Sequence, residues 1–133
     1  MPFVLDNSVV TGWCIEDQAT DYSETIATKL ETDRAIVPAL WELEFANVLK
    51  TACTRGKLAI DAARQIADNI CALPIEIDHG TPGPRQLFEL AVRYNLSSYD
   101  AAYLELAMRH GLPIACQDGK LREASKAAGI TVL

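Results

Sequence analysis

Apolar residues along this chain fall into two kinds of run. Short runs, apolar on both faces, stand at residues 2–5, 35–37, 75–77, 113–116 and 130–132. Between them, apolar positions recur at helical spacing over residues 19–31, 40–55, 60–72, 84–94, 98–110 and 119–128. Punctuation agrees with this division. Pro38 closes the second short run, Gly56, Gly111 and Gly129 end helical stretches, and Pro84 opens one in its first turn. Short buried strands separated by helices predict an α/β domain, three layers deep, around a central five-stranded parallel sheet. Right-handed crossovers bring the carboxyl ends of all the strands to one edge, where such folds bind ligands. The one candidate break, His79-Gly80-Thr81-Pro82-Gly83-Pro84, is a dense turn too short to separate domains, so a single domain over residues 1–133 is expected.

Composition narrows the class. Half of the 133 residues are hydrophobic and 23% are charged, which excludes intrinsic disorder. No run approaches the ~18 apolar residues of a membrane span, and no leader pattern opens the chain, so a cytoplasmic protein that does not engage membranes is expected. Cys14, Cys53, Cys71 and Cys116 are far apart and form no CxxC pair. They read as small buried hydrophobes, with neither a zinc site nor a disulfide framework. Twelve basic against 18 acidic residues give a net charge of −6, which argues against a non-specific nucleic-acid binder. The excess is uneven: residues 1–78 hold 6 basic and 13 acidic side chains, residues 79–133 hold 6 and 5.

Four acids stand where the pattern makes them conspicuous. Asp6 directly follows the first strand, and Asp118 follows the fourth after Gln117 alone. Asp100 lies in the first turn of the helix that leads into that fourth strand. Glu44 lies one turn into a helix whose other positions are largely Leu, Trp, Phe, Val and Ala. A bland explanation exists for each: Asp6 and Asp118 as helix N-caps, Ser97-x-x-Asp100 as a capping box, and Glu44 with its carboxylate at the surface. Taken together they suggest more. Carboxylates gathered on one rim repel one another, and a hard divalent cation is the usual reason to keep them there.

Val4-Leu5-Asp6-Asn7-Ser8, Glu44-Phe45-Ala46-Asn47-Val48-Leu49, Tyr99-Asp100-Ala101-Ala102-Tyr103 and Asp118-Gly119-Lys120-Leu121 occur in that order along the whole chain. With the strand–helix alternation, this resembles the PIN-domain ribonucleases, and within them the VapC-like toxins of type II toxin–antitoxin systems. The resemblance implies strand order 3-2-1-4-5, which makes the first and fourth strands neighbours. It implies that Asp6, Glu44, Asp100 and Asp118 are both the catalytic residues and the ligands of one or two Mg²⁺ or Mn²⁺ ions. Ser8 corresponds to a hydroxyl residue that supports the first Asp, and Asn47 to an Asn that orients Glu44. Cys116 stands where a Thr is common, which weakens hydrogen-bonding support for Asp118. Lys120 and Arg122 are the cations placed to meet RNA phosphates. A cognate antitoxin and a second copy of the chain are the implied protein partners, with the helices at 40–55 and 60–72 apolar enough to receive one of them.

The expected chemistry is hydrolysis of RNA phosphodiesters, with a water activated at the cation and a carboxylate outside the ligand set, Asp100 or Asp118, accepting its proton. Two other readings compete. Another Mg²⁺-dependent phosphoryl-transfer protein would need a second Asp where Ser8 stands, or a Lys after a late strand. A non-enzymatic α/β interaction module would use the acids only as caps and solvated faces. The nuclease reading also changes the meaning of the charge: with four acids engaged on metal, 14 remain against 12 basic residues, and RNA is no longer excluded.

Overall fold

The computed structural model describes residues 1–80 and 82–133; Thr81, within the expected turn, lies outside them. Four parallel strands form one sheet: β1 (Phe3–Leu5), β2 (Ala35–Pro38), β3 (Ile75–Asp78) and β4 (Ile114–Ala115), in the order β3-β2-β1-β4. Val4 pairs with Ile36 on one side and Ile114 on the other, which sets the register of the centre. Phe3, Val4 and Leu5 are fully buried, as a strand covered on both faces requires.

The sheet therefore has four strands, where five were expected. Of the predicted fifth, only Val132 pairs, in a single parallel bridge to Ile114. Ile130 cannot join the ladder, because its N–H donates to Ser125 O at 2.8 Å and finishes the preceding helix. What is left of the edge is held by Ile114 N–H to Thr131 O and Leu133 N–H to Ile114 O, each 2.9 Å. Tyr22 adds a side-chain clamp: its hydroxyl donates to Leu133 O at 2.8 Å and accepts from Cys116 N–H at 3.2 Å.

Seven α-helices lie among the described residues: α1 (Asn7–Cys14), α2 (Asp21–Lys29), α3 (Leu40–Thr54), α4 (Ile60–Cys71), α5 (Pro84–Tyr94), α6 (Ser98–His110) and α7 (Gly119–Ala127). α1 packs on α2 and α3, and α3 on α4; α6 packs on β1 and β2 with α5 and α7 beside it. Right-handed crossovers put these two groups on opposite faces of the sheet. α1 lies outside the stretches of helical periodicity, and only the reading of Asp6 as an N-cap points to it. Its Asn-Ser-Val-Val-Thr-Gly stretch has poor intrinsic helix propensity. Burial of Val9, Val10 and Gly12 and an N-cap from Asp6 stabilise it instead. Gly12 permits the close approach of α2, since a Cβ there would stand 2.8 Å from Ser23 Cβ.

Trp41 and Phe45 stack inside the core, 5.3 Å between centroids and 2° from parallel. The cysteines are all free thiols. Cys14 and Cys116 are buried as expected, whereas Cys53 is half-buried and Cys71 exposed, because the end of α4 turns that position to solvent.

Candidate active site

Backbone pairing at the sheet centre assembles the site. Asp6 N–H donates to Ala115 O at 2.9 Å, extending the β1–β4 ladder by one rung past Leu5. Gln117 then ties the two strand-to-helix junctions together. Its N–H donates to Ser8 Oγ at 3.0 Å and its side-chain amide to Ser8 O at 3.2 Å. The start of α1 and the start of α7 are thus held side by side, with Asp6 and Asp118 at their N-caps. Asp6 Oδ2 accepts from Ser8 N–H at 3.2 Å, and Asp118 Oδ1 from Leu121 N–H at 3.1 Å. Each of these acids leaves one carboxylate oxygen outside its cap. Ser97 caps α6 by accepting from Asp100 N–H at 3.1 Å, so Asp100 enters the site from a third helix start.

The acids differ in their surroundings. Asp6 is 5% exposed, Glu44 and Asp100 are half-buried, and Asp118 is exposed. Burial pushes Asp6 up to about 6; hydrogen bonds from Ser8 oppose this, and the charges of Glu44 and Asp118 add to it. Asp100 is also pushed up to about 6, by burial first and then by Asp118 and Asp6, with Lys120 pulling the other way. Glu44 is raised by burial and by Asp100, against a hydrogen bond from Tyr103. The four carboxylates thus share one electrostatic neighbourhood, although they come from four separate segments of the chain.

Tyr103 is the residue that sequence reasoning missed. It is fully buried on α6, and its hydroxyl donates to Glu44 Oε1 at 2.6 Å. A phenol without solvent access, one turn after Asp100, was the available signal; it reads as an ordinary core aromatic. Asn47, expected to orient Glu44, is exposed on α3 and lines a groove with Thr11, Gln18 and Arg55, with no hydrogen bond to Glu44. The Cys116 thiol is fully buried, pushed up to about 12 by burial and by Asp6, with no hydrogen-bond partner of its own among the described residues. Arg122 donates to Cys116 O at 2.8 Å and lies 5.3 Å from the centroid of the Tyr22 ring. Its guanidinium is thereby engaged in holding the end of β4. Lys120 is exposed and close enough to Asp100 to act on its charge.

Among the described residues, no three acidic, histidine or cysteine side chains form a group that could hold a metal ion. The donor chemistry nevertheless fits a hydrated hard cation. The four acids offer carboxylate oxygen, and Asn7, beside Asp6, keeps its Oδ1 buried without a partner. Mg²⁺ keeps most of its waters and needs only one or two carboxylates directly.

The PIN domain family model matches residues 3–127. The chain belongs to the PIN-domain family. Over 89 residues this PIN domain is 32% identical to Ribonuclease VapC1 of Mycobacterium tuberculosis, in two strains. The match covers 65% of this chain and 65% of that relative, so just under two thirds of the relative is spanned. The fold is similar to the crystal structure of PAE2754 from Pyrobaculum aerophilum, with a TM-score of 0.68 over 93% of this chain and 84% of that one. At 21% identity that likeness concerns the PIN fold alone.

Proposed function

We propose that this PIN-domain protein is a metal-dependent endoribonuclease acting as the toxin of a toxin–antitoxin pair in the cytoplasm. The observation that carries the reading is the gathering of carboxylates at adjoining helix starts. Asp6 and Asp118 cap α1 and α7, which Gln117 ties together through Ser8, and Asp100 stands at the start of α6. Burial and mutual charge raise the pKa of Asp6, Asp100 and Glu44. Carboxylates held in mutual repulsion favour a cation between them. Asp6, Glu44, Asp100 and Asp118 would hold one or two Mg²⁺ or Mn²⁺ ions. Bound there, the metal supplies a water of lowered pKa and charge neutralisation for the scissile phosphate.

The chain's own groups divide the remaining work. Ser8 and Tyr103 fix Asp6 and Glu44 by hydrogen bonds, so that each keeps one oxygen for the cation. Leu121 N–H does the same for Asp118. The Asp100 carboxylate accepts no hydrogen bond from protein among the described residues, which makes it the best placed of the four to take a proton from water. Hydrolysis then leaves a 5′-phosphate and a 3′-hydroxyl. Ser8 and Cys116 act by shaping the surroundings, and Lys120 is the nearest cation for the RNA.

Two surfaces suit the protein partners of this reading. α3 and α4 flank an open groove of about 560 Å³ whose apolar lining includes Leu49, Cys53, Ile60, Ala63 and Ala67, suited to an amphipathic antitoxin segment. α5 buries none of its residues fully and exposes Phe88 and Val92, suited to a second copy of the chain. Among the described residues, no helix is long and apolar enough to cross a membrane.

The test is cleavage of RNA by the purified protein with Mg²⁺ or Mn²⁺, with excess EDTA, and by the Asp6→Asn variant. Cleavage that stops in EDTA and falls by ~100-fold or more in a variant that still melts cooperatively is the expected result. Cleavage that persists in EDTA, or a fully active variant, refutes the proposal.

A further inference from the structure

Beside the carboxylates, the end of α5 and the first turns of α7 form an open groove of about 790 Å³, lined by Arg93, Tyr94, Asn95, Gly119, Lys120 and Glu123. Its walls are the approaches to two of the acids. Gly119 follows Asp118 directly. Asn95, in the left-handed conformation at φ 53°, ends α5 and turns the chain toward Ser97 and the first turn of α6, where Asp100 sits.

The two cations in this groove form no ion pair among the described residues. Elsewhere Arg34, Lys57, Arg64, Arg85 and Arg109 face acids, while Lys29, Lys50, Arg55 and Arg122 do not among the described residues. Arg93 and Lys120, with no acidic partner within 4.0 Å, are two unpaired cations that share one groove. Glu123, the acid among the lining residues, faces Lys126 at 3.8 Å. Arg93 lies 5.5 Å from the centroid of the Tyr94 ring, a weak contact that leaves its guanidinium edge available. On a chain of net charge −6, two free cations in one groove, next to two of the four acids, mark where a polyanion can approach.

We infer that the α5–α7 groove carries the backbone of single-stranded RNA to one side of the scissile bond, with Arg93 and Lys120 each meeting a phosphate. The inference rests on the ribonuclease reading and adds Arg93, on a helix that contributes none of the four acids, as a substrate contact. RNA is favoured over an acidic protein segment because Gly119 and Lys120 of the groove directly follow Asp118 and the charge of Lys120 acts on Asp100, so a strand lying there passes beside the carboxylates.

Steady-state cleavage of a short single-stranded RNA by wild type, Arg93→Gln and Lys120→Gln tests this. One lost phosphate contact raises KM about fivefold near 0.1 M salt and makes the slope of log KM against log salt shallower by about 0.7. For Arg93→Gln, kcat stays within about twofold, since Arg93 takes no part in the chemistry. Lys29→Gln, in a separate groove beside Met1 and Pro113 at the amino ends of the strands, serves as control and leaves KM unchanged. An unchanged KM and salt slope in Arg93→Gln, with an active wild type, overturns the groove assignment. Unchanged RNA kinetics with weakened inhibition by the antitoxin assigns the groove to an acidic protein segment and also overturns it. A wild type that neither binds nor cleaves RNA fails the ribonuclease reading itself, a distinct outcome.

Discussion

Tyr103 has no exposed surface, yet its hydroxyl ends on a carboxylate, at 2.6 Å from Glu44 Oε1. That bond fixes which oxygen of Glu44 faces the helix and which faces the site. Tyr103→Phe keeps the ring and removes the bond, so the expected change is specific: Mn²⁺ affinity by calorimetry and cleavage both fall by about tenfold, while the protein stays cooperatively folded and loses about 1–2 kcal/mol. Unaltered Mn²⁺ affinity in a folded variant rejects this role. The positions of Asp6, Asp100 and Asp118 at strand ends and helix starts were legible from sequence, whereas Glu44 lies within a helix and was singled out by its apolar surroundings and the family resemblance. The partners of these acids were not legible. Asn47 and Tyr103 both stand about one turn from an acid, but only the packing of α6 against β1 and α3's neighbourhood decides which side chain reaches Glu44.

Helices with strong periodicity, from α3 to α7, were readable within a few residues, whereas α1 was not, because tertiary burial of Val9 and Val10 overrides weak local propensity. The fifth strand shows the converse, a β-branched run whose ladder is cut to a single pair by the cap of α7. The end of α6 carries a further device that charge counting hides. Arg109 bonds Glu105 at 2.7 Å and Asp78 at 3.0 Å, and His110 Nε2 lies 2.8 Å from Asp78. Asp78 is held down at about 2 by Arg109. The network ties the edge strand β3 to α6, and Gly80 fits beneath it because a Cβ there would stand 2.7 Å from the guanidinium. Arg109→Met leaves Glu105, 5% exposed, without its counter-charge. The expected loss is about 2 kcal/mol in chemical denaturation, with some of it recovered in the double variant with Glu105→Gln. Additive losses would show that the pair is not coupled.

Across the whole molecule, net charge is a poor guide to function, because the acids do different things. Asp6 and Asp100 titrate at about 6 in the folded chain against an ordinary 3.8, so the native state holds more protons than the unfolded one between these values. Stability of the metal-free protein therefore falls as pH rises through this window. Asp78 acts in the opposite sense, but its contribution is complete above the ordinary carboxylate pKa and is lost only toward about 2. In EDTA, the melting temperature should be lower near pH 7 than near pH 5, Asp6→Asn should flatten the drop, and Mn²⁺ should reverse it. A melting temperature that climbs across this interval in EDTA contradicts the pKa ordering. Asp6 and Asp118 are joined across a short seam in the sheet. β1 and β4 share two residue pairs, continued by one rung from Asp6 and clamped at the far side by the phenol of Tyr22. Local opening there separates Asp6 from Asp118 while both helical layers stay packed. The lifetime of an idle site is then set by breathing at this seam, well before global unfolding. A cation held between Asp6 and Asp118, as the proposed function requires, would stitch this seam and keep that edge of the sheet closed.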